Sequence, residues 1–252
     1  MRRMFLAASA AAIAATAHAQ FEAASIKPSK SEDRHRLNDS KPELFRVTNA
    51  TARWLIQQAY GIKAFQLEGG PNWTGSDLFD IVAKPPTPVN NEQLKMLLQS
   101  LLAERFQLAV GHETKQARVY GLVVAKSGLK LKDGLISNGP ARVVIRRGLL
   151  DAPALDMAGL VNLLSEFTGV KVLDQTGLTA RYAVKLQWIP DENQVAMFQS
   201  MGVPEGVGTP AADPMGATLF AALPERLGLR LESQKGPVDM VIIQRIERPS
   251  AN

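Results

Sequence analysis

Four segments of this sequence carry apolar residues at helical spacing, and no other feature limits the possible fold as much. Their apolar positions are Ala52, Leu55, Ile56 and Ala59; Leu94, Leu97, Leu98, Leu101 and Leu102; Leu160, Leu163, Leu164 and Phe167; and Leu219, Phe220, Leu223 and Leu227. Residues three and four apart share one face of a helix, so each segment predicts an amphipathic helix. The fold must therefore offer each of these helices an apolar surface.

Residues at the ends of the four segments are typical of helix boundaries. They are Thr51 and Gly61, Asn90 with Gln93, Asp156 and Gly169, and Asp213-Pro214 with Gly228. Thr, Asn and Asp side chains accept hydrogen bonds from the first N–H groups of a helix, and Gly accommodates the left-handed residue that ends one. Pro224 lies inside the fourth segment and lacks a backbone donor, so we expect a kink or break just before it.

The stretches between the helices alternate apolar and polar residues, as half-buried strands do. The apolar positions of two such strands are Phe79, Ile81 and Ala83, and Tyr182, Val184, Leu186 and Trp188. Val119–Val124 and Val238–Ile243 are more continuously apolar, and each follows a polar, turn-rich stretch. We expect both of these to be the last arms of hairpins.

In chain order, these elements predict an α+β protein of two related lobes of βαββαβ type, with short mixed sheets each packed by two helices. We place an N-terminal strand and a mobile segment at 20–44, the first lobe at 45–132, a linker at 133–142 and the second lobe at 143–252. The repeated order indicates an internal duplication; coincidence of two α+β patterns is the alternative.

Residues 190–216 of the second lobe are rich in Pro, Gly and acidic residues and surround Met197, Phe198 and Met201. This composition predicts a surface insertion with a small sticky segment. The insertion is either a flap for a partner or ligand or, as we favour, a poorly ordered loop.

The first nineteen residues have the layout of a secretory signal peptide. Arg2 and Arg3 precede an apolar run from Met4 to Ala15, and Ala17-His18-Ala19 forms a small-residue cleavage site. The run is shorter than the roughly 20 residues that a membrane-spanning helix needs, so no stable membrane insertion is expected. After cleavage near Ala19 we expect the chain in the periplasm or outside the cell. Because the sequence has no Cys, its stability there must come from the core rather than from disulfides.

Residue types that usually carry catalysis are scarce. Beyond the expected leader only His35 and His112 remain, and neither has the spacing to a second ligand that a metal site needs. The sequence contains no Cys nucleophile, no serine-hydrolase motif and no phosphate-binding glycine loop. We therefore expect no cofactor and no metal, and an enzyme is the less favoured interpretation.

Charged residues leave one catalytic alternative open. Paired carboxylates at Asp77 and Asp80, and at Asp191 and Glu192, could hydrolyse an envelope polymer if the fold brought them face to face. Lys and Arg are interspersed with acids, which is typical of a solvated surface. No nucleic-acid partner is therefore expected.

Two turns are candidates for binding. Gly69-Gly70-Pro71-Asn72-Trp73 is a tight turn that ends in a large aromatic, and Asp174-Gln175-Thr176-Gly177 is its counterpart in the second lobe. Trp73 is either a binding platform, with Tyr182 in a cleft for a small ligand, or, as we favour, a plug at the end of the core. The candidate site residues are Gly69, Gly70, Pro71, Trp73, Asp174, Gly177 and Tyr182.

Several short motifs occur together in an order that resembles one family. They are Phe21-Glu-Ala-Ala-Ser-Ile-Lys-Pro-Ser29, Gly69-Gly-Pro-Asn-Trp73, Leu101-Leu-Ala-Glu-Arg-Phe106, Asp174-Gln-Thr-Gly-Leu178 and Glu247-Arg-Pro-Ser-Ala-Asn252. The chain resembles the uncharacterised secreted proteins expanded in soil acidobacteria over its whole mature length. Where that family commonly has Gly after Leu-Thr and an acid before the last Asn, this chain has Ala180 and Ala251.

The resemblance implies no established activity. Some members of that family are joined to membrane metallopeptidases of the antibiotic-sensing type, which implies a sensory or interaction role. Each half is also similar to the short N-terminal domain of secretins and TonB-dependent receptors, which implies protein binding by strand addition or helix docking. We therefore expect a non-catalytic protein-interaction or sensing module of the cell envelope. It is expected to bind an envelope protein partner through a sheet edge or an inter-lobe groove.

Overall fold

The two longest strands of the protein pair with each other along almost their whole length. The computed structural model describes residues 20–31, 35–134, 142–200, 203 and 216–249. Its strands are β1 (Ala23–Pro28), β2 (Leu37–Asn38), β3 (Phe45–Ala50), β4 (Leu67–Gly69), β5 (Phe79–Lys84), β6 (Ala109–Val124), β7 (Lys132–Asp133), β8 (Val144–Arg146), β9 (Leu149–Leu155), β10 (Val172–Asp174), β11 (Tyr182–Gln187) and β12 (Leu229–Arg245). Its helices are α1 (Ala52–Tyr60), α2 (Trp73–Ser76), α3 (Asn91–Arg105), α4 (Met157–Thr168), α5 (Glu192–Ser200) and α6 (Leu219–Ala222). The predicted α+β class is confirmed.

The described strands form three four-stranded sheets. Their orders are β1-β5-β3-β2, β10-β6-β12-β4 and β7-β11-β9-β8. In the central sheet β6 and β12 are antiparallel, with a register that runs from Val124 opposite Leu229 to Ala109 opposite Arg245. The short strand β4 joins β12 in parallel, and β10 joins β6 in parallel. Both halves of the chain therefore contribute two strands to the central sheet.

The prediction that Val119–Val124 and Val238–Ile243 are the last arms of separate hairpins is wrong. Each lies within one continuous strand, β6 or β12. The polar stretch before Val119 is not a turn, because its backbone pairs with β12, with Lys115 opposite Val238 and Arg118 opposite Lys235. It is polar because it crosses between two hydrophobic cores, where side chains face solvent.

The first core lies against one end of the β6/β12 pair. Its buried residues come from β1, β3, β4, β5, β12, α1, α3 and the chain after α3, and include Ile81, Leu98, Phe106 and Val241, while Val110 of β6 packs against them. The predicted boundaries of α1 and the predicted start of α3 are confirmed. Thr51 and Gly61 cap α1, and Asn90 and Gln93 form a reciprocal capping box at the start of α3.

The second core lies against the other end of the β6/β12 pair. It is built from α4, α5, α6, the β7-β11-β9-β8 sheet and residues such as Leu122 and Leu229 of the central sheet. Asp156 and Gly169 cap α4 as predicted. The break at Pro224 is confirmed, because α6 ends at Ala222 and continues as a π-helical turn, Leu223–Leu227.

One predicted boundary in the second half needs correction. Helix α6 begins after Thr218, later than the Asp213-Pro214 signal, which lies outside the described residues. Lys132 and Asp133, where the predicted linker begins, form β7 and pair with Ala183 and Tyr182 of β11. Residues 135–141 of that linker and the expected leader, 1–19, also lie outside the described part.

The predicted surface insertion at 190–216 contains a packed helix, α5. Asp191 Oδ1 accepts a hydrogen bond from the Gln194 backbone N–H at 2.9 Å, and Gln194 Oε1 accepts one from Trp188 Nε1 at 2.9 Å. Phe198 is fully buried against Phe167 and Trp188. The interpretation as a poorly ordered loop is therefore wrong for this helix, because its aromatic residue completes the core. Residues 201, 202 and 204–215 lie outside the described part.

Within the described ranges, the structure contains no helix long and apolar enough to cross a membrane.

Candidate functional site

A groove of about 1440 Å³ lies between the two cores. Helix α1 and strand β2 supply residues of one wall, and helices α4 and α5 supply residues of the other. The groove is therefore lined by parts of the chain that are far apart in sequence, and we call it the inter-core groove.

Helix α1 presents a mixed face to the groove because its apolar face is fully used by the first core. Leu55 and Ile56 are buried. On neighbouring positions of the helix, Trp54, Gln57 and Gln58 line the groove. Thr51 Oγ1 accepts a hydrogen bond from the Trp54 backbone N–H at 3.2 Å, which fixes the first turn. The aromatic and amide side chains are thus held on a rigid element.

Helix α4 supplies the opposite wall by the same division of faces. Leu160 and Leu164 are buried in the second core, whereas Leu163 and Glu166 line the groove. Met197 of α5 lies beside them in the lining. This wall is mainly apolar, so a ligand bound in the groove would bury carbon atoms against it.

An ion pair connects the two walls. Lys63 Nζ, just after α1, lies 2.6 Å from Glu166 Oε2 of α4, and each side chain is 28% exposed. Because both side chains are partly solvated, a pair of this kind contributes only about 0–1 kcal/mol. The pair therefore joins the two walls but adds little to the stability of the fold.

Strand β2 brings a sheet edge into the groove. It is the last strand of the β1-β5-β3-β2 sheet, and both Leu37 and Asn38 line the groove. Leu37 is opposite Thr48 of β3, and the Asp39 N–H donates to the Arg46 carbonyl at 3.1 Å. Since alternate residues of an antiparallel strand point their backbone groups to opposite sides, those of Asn38 point away from β3. A sheet edge and the groove thus coincide.

Arg36 extends this edge over the aromatic side chain of α1. Its guanidinium carbon lies 4.5 Å from the centroid of the Trp54 ring, within cation–π range. Burial lowers the pKa of Arg36, but an arginine side chain stays charged in proteins. Among the lining residues that the structure describes, Arg36 and Lys63 are cations and Glu166 is a carboxylate.

The groove has the chemistry of a recognition surface. Amide side chains can donate and accept hydrogen bonds, and apolar side chains can bury a ligand. Among the described residues, no group of three or more His, Cys, Asp or Glu side chains could hold a metal ion.

Gly69 and Gly70 belong to packing against the central sheet rather than to the groove. Their φ angles are +81° and +77°. A Cβ on Gly69 would lie 2.9 Å from the carbonyl oxygen of Ile243, and one on Gly70 would lie 3.0 Å from the Ile243 side chain. The Pro71 carbonyl accepts a hydrogen bond from Thr74 Oγ1 at 2.7 Å. The turn thus fits tightly against β12.

Trp73 is covered on more than one side. Its ring is edge-on to Phe79, with centroids 6.4 Å apart, and it packs against the first core. The Arg248 guanidinium lies 5.0 Å from the Trp73 centroid and its Nε is 2.9 Å from Asp77 Oδ2. Trp73 is not among the residues that line the groove. These contacts support the interpretation of Trp73 as a plug.

The other predicted site residues lie on the second core. Asp174 Oδ1 accepts hydrogen bonds from the Thr176 N–H at 2.9 Å and from its hydroxyl at 2.7 Å, which holds the turn that Gly177 completes. Tyr182 is 7% exposed within the second core. Trp73 and Tyr182 belong to different cores, so the structure does not bring them into one cleft.

The predicted carboxylate pairs make structural contacts. Asp77 pairs with Arg248, and Asp80 Oδ1 accepts a hydrogen bond from the Asn49 N–H at 3.0 Å. Asp191 caps α5, and Glu192 is exposed. The two pairs lie on different cores, and neither lines the groove. This arrangement gives the hydrolase alternative no support.

Sequence reasoning missed the residues that form the groove. Trp54, Gln57 and Gln58 lie beside the predicted buried face of α1, where a large aromatic is a signal that could have been followed. Met197, in contrast, belongs to the segment whose composition predicts a sticky surface.

A family model matches the chain over residues 53–246. No curated protein and no solved structure matches the chain.

Proposed function

The chain belongs to the family described as protein of unknown function (DUF3738), and from that premise we propose that it is a non-catalytic protein-interaction module. Its ligand is an extended segment of a partner protein, bound in the inter-core groove. The groove's combination of a sheet edge, an amide-bearing helix and an apolar wall carries the proposal.

Strand addition at β2 is the proposed mode of binding. Backbone groups of Asn38 face away from β3 and can pair with an incoming strand, while alternate side chains of that strand enter the groove. Leu37 is 66% exposed at this edge, a state that binding would relieve.

We also propose that the module is exported and acts in the cell envelope on an envelope protein. The layout of residues 1–19 supports export. The order β3-α1-β4-β5-α3-β6 is repeated as β9-α4-β10-β11-α6-β12 when the helices α2 and α5 are set aside. This repeated order supports an internal duplication and the similarity of each half to the short domains of secretins and TonB-dependent receptors. The short domains of secretins and of TonB-dependent receptors are both protein-binding modules, which favours a role in interaction or sensing.

A photocrosslinking experiment tests the groove. A photoreactive residue replaces Gln58 in the groove or, as a control, Gln116 on the exposed middle of β6. We expect the Gln58 position alone to crosslink one envelope protein at a defined segment. That segment is then made as a peptide and its binding to the purified full chain is measured.

Two matched variants make the peptide measurement decisive. Leu37→Asp places a charge in the groove. Met96→Asp places the same charge on α3, at a residue that is 57% exposed and outside the groove lining. We expect at least about tenfold weaker binding for Leu37→Asp, about 1.4 kcal/mol, and unchanged binding for Met96→Asp. Equal binding by the two variants would reject the groove as the site.

A further inference from the structure

Gln20 directly follows the Ala17-His18-Ala19 site at which we expect the leader to be removed. Cleavage there leaves Gln20 as the first residue, with a free α-amino group. An N-terminal glutamine carries both a nucleophile and an acyl group, since its amine can reach its own side-chain amide carbon. The chemistry of this position therefore depends on what holds Gln20 in the folded chain.

The fold anchors the chain from the residue after Gln20. The centroids of the Phe21 and Phe45 rings lie 6.4 Å apart. The Glu22 N–H donates to the Lys84 carbonyl at 2.8 Å, and the Glu22 carboxylate lies 2.8 Å from Lys84 Nζ. Gln20 itself is exposed, and no hydrogen bond joins it to any residue in the described ranges. Its side chain is thus available to its own amine.

We propose that Gln20 of the processed chain is converted to pyroglutamate, an inference that rests on the proposed export. The α-amino nitrogen attacks Cδ of the same residue, forming an N–Cδ bond. The Cδ–Nε2 bond breaks, and Nε2 leaves as ammonia with a proton from the amine. The product is a five-membered lactam, and no oxidant or further reactant is consumed.

Physical chemistry favours this step in the folded protein. Both reacting groups belong to one residue, so the reaction is intramolecular and its effective concentration is high. An α-amino group titrates far closer to neutrality than a lysine side chain, so part of it is unprotonated at neutral pH. Neither the anchor at Phe21 nor the strand that follows has to move.

A hollow beside Gln20 can receive the lactam. It measures about 160 Å³ and is lined by residues 20–24 together with Leu101, Glu104 and Arg105 near the end of α3. The lactam ring is uncharged, so cyclisation removes the terminal positive charge next to this surface. It also removes the free amine that aminopeptidases require, which protects the start of an exported chain.

Intact-mass measurement of the exported protein tests the proposal. The full chain is expressed with its own leader, and the processed protein is incubated at neutral pH. We expect a chain of residues 20–252 that is lighter by the mass of one ammonia and that pyroglutamyl aminopeptidase converts to one beginning at Phe21. The control is Gln20→Asn, which keeps a terminal amide but would need a strained four-membered ring. It should retain its full mass.

Each other outcome overturns the inference in a recognisable way. A chain that begins with free Gln20 after prolonged incubation shows that cleavage occurs and cyclisation does not, so the proposed export stands. A chain that retains residues 1–19, or begins elsewhere, shows that the proposed processing itself is wrong. Binding of the partner peptide to the Gln20→Asn variant is measured alongside and should equal that of the unmodified sequence, which separates this modification from the groove.

Discussion

Single residues in the groove combine structural and surface roles. Trp54 packs against the first core, its ring lies under the Arg36 guanidinium, and it also lines the groove. Lys63 and Glu166 likewise belong to the lining and join the two walls. A ligand must compete with these contacts or use them, so the groove is a surface that is already organised.

The Lys63–Glu166 pair should contribute little to stability. We expect Glu166→Gln to lower the free energy of unfolding by no more than about 1 kcal/mol, because each partner is partly solvated. The difference from the unchanged protein should shrink as salt is added. Urea unfolding at low and high ionic strength measures this difference. Glu22→Gln, which removes the carboxylate of the more exposed Glu22–Lys84 pair, is the comparison. A loss that is large and insensitive to salt would contradict it.

Gly69 should be far less replaceable than Gly177, although both have a positive φ. Gly69→Ala adds a methyl 2.9 Å from a backbone oxygen of β12, whereas a Cβ on Gly177 has no atom within 4 Å. Gly177→Ala should therefore cost about 1 kcal/mol for the left-handed backbone alone, and Gly69→Ala about 2–3 kcal/mol or more. Thermal unfolding of both variants compares them. Equal losses would show that the contact with Ile243 is unimportant.

At the scale of elements, local signals were predictable and long-range ones were not. The caps of α1, α3 and α4 were predicted because a cap depends on residues within one turn. The length of β6 was missed, because its polar middle has the composition of a turn and only pairing with the distant β12 makes it a strand. The groove was missed at the level of residues for the same reason, since α1 and α4 meet only in three dimensions.

The cap of α4 offers a test of this local reasoning. Asp156 Oδ1 accepts a hydrogen bond from the Gly159 N–H at 2.8 Å, whereas the N-cap Thr218 of α6 makes no such side-chain bond. Asp156→Ala should lower the free energy of unfolding by about 1 kcal/mol, and Thr218→Ala by much less. Chemical denaturation compares the two. A larger loss for Thr218→Ala would mean that capping does not set the boundary of α4.

At the scale of the whole molecule, the central sheet ties the two cores together. Residues of β6 and β12 enter both cores. The order of elements within each half was predicted, but a sheet drawn from both halves was not, because strand pairing across halves leaves no periodic signal in either. The two cores should consequently not unfold one at a time.

Tryptophan fluorescence can follow the two cores separately. Trp54 and Trp73 pack against the first core, and Trp188 lies in the second. Leu160→Ala removes a fully buried side chain of the second core and should lower the free energy of unfolding by about 2–5 kcal/mol. It is made in two variants, one that retains only Trp73 and one that retains only Trp188. We expect both tryptophans to report the same shift of the unfolding midpoint. Two separate transitions would show that the cores are energetically independent.

β4 of the first half pairs with β12 of the second half, and β10 of the second half pairs with β6 of the first. The paired strands should therefore hold the two halves together without a covalent link between residues 134 and 142. A protease cut there should leave a tight two-fragment complex, and the two fragments produced from separate messages should find each other and restore the same groove.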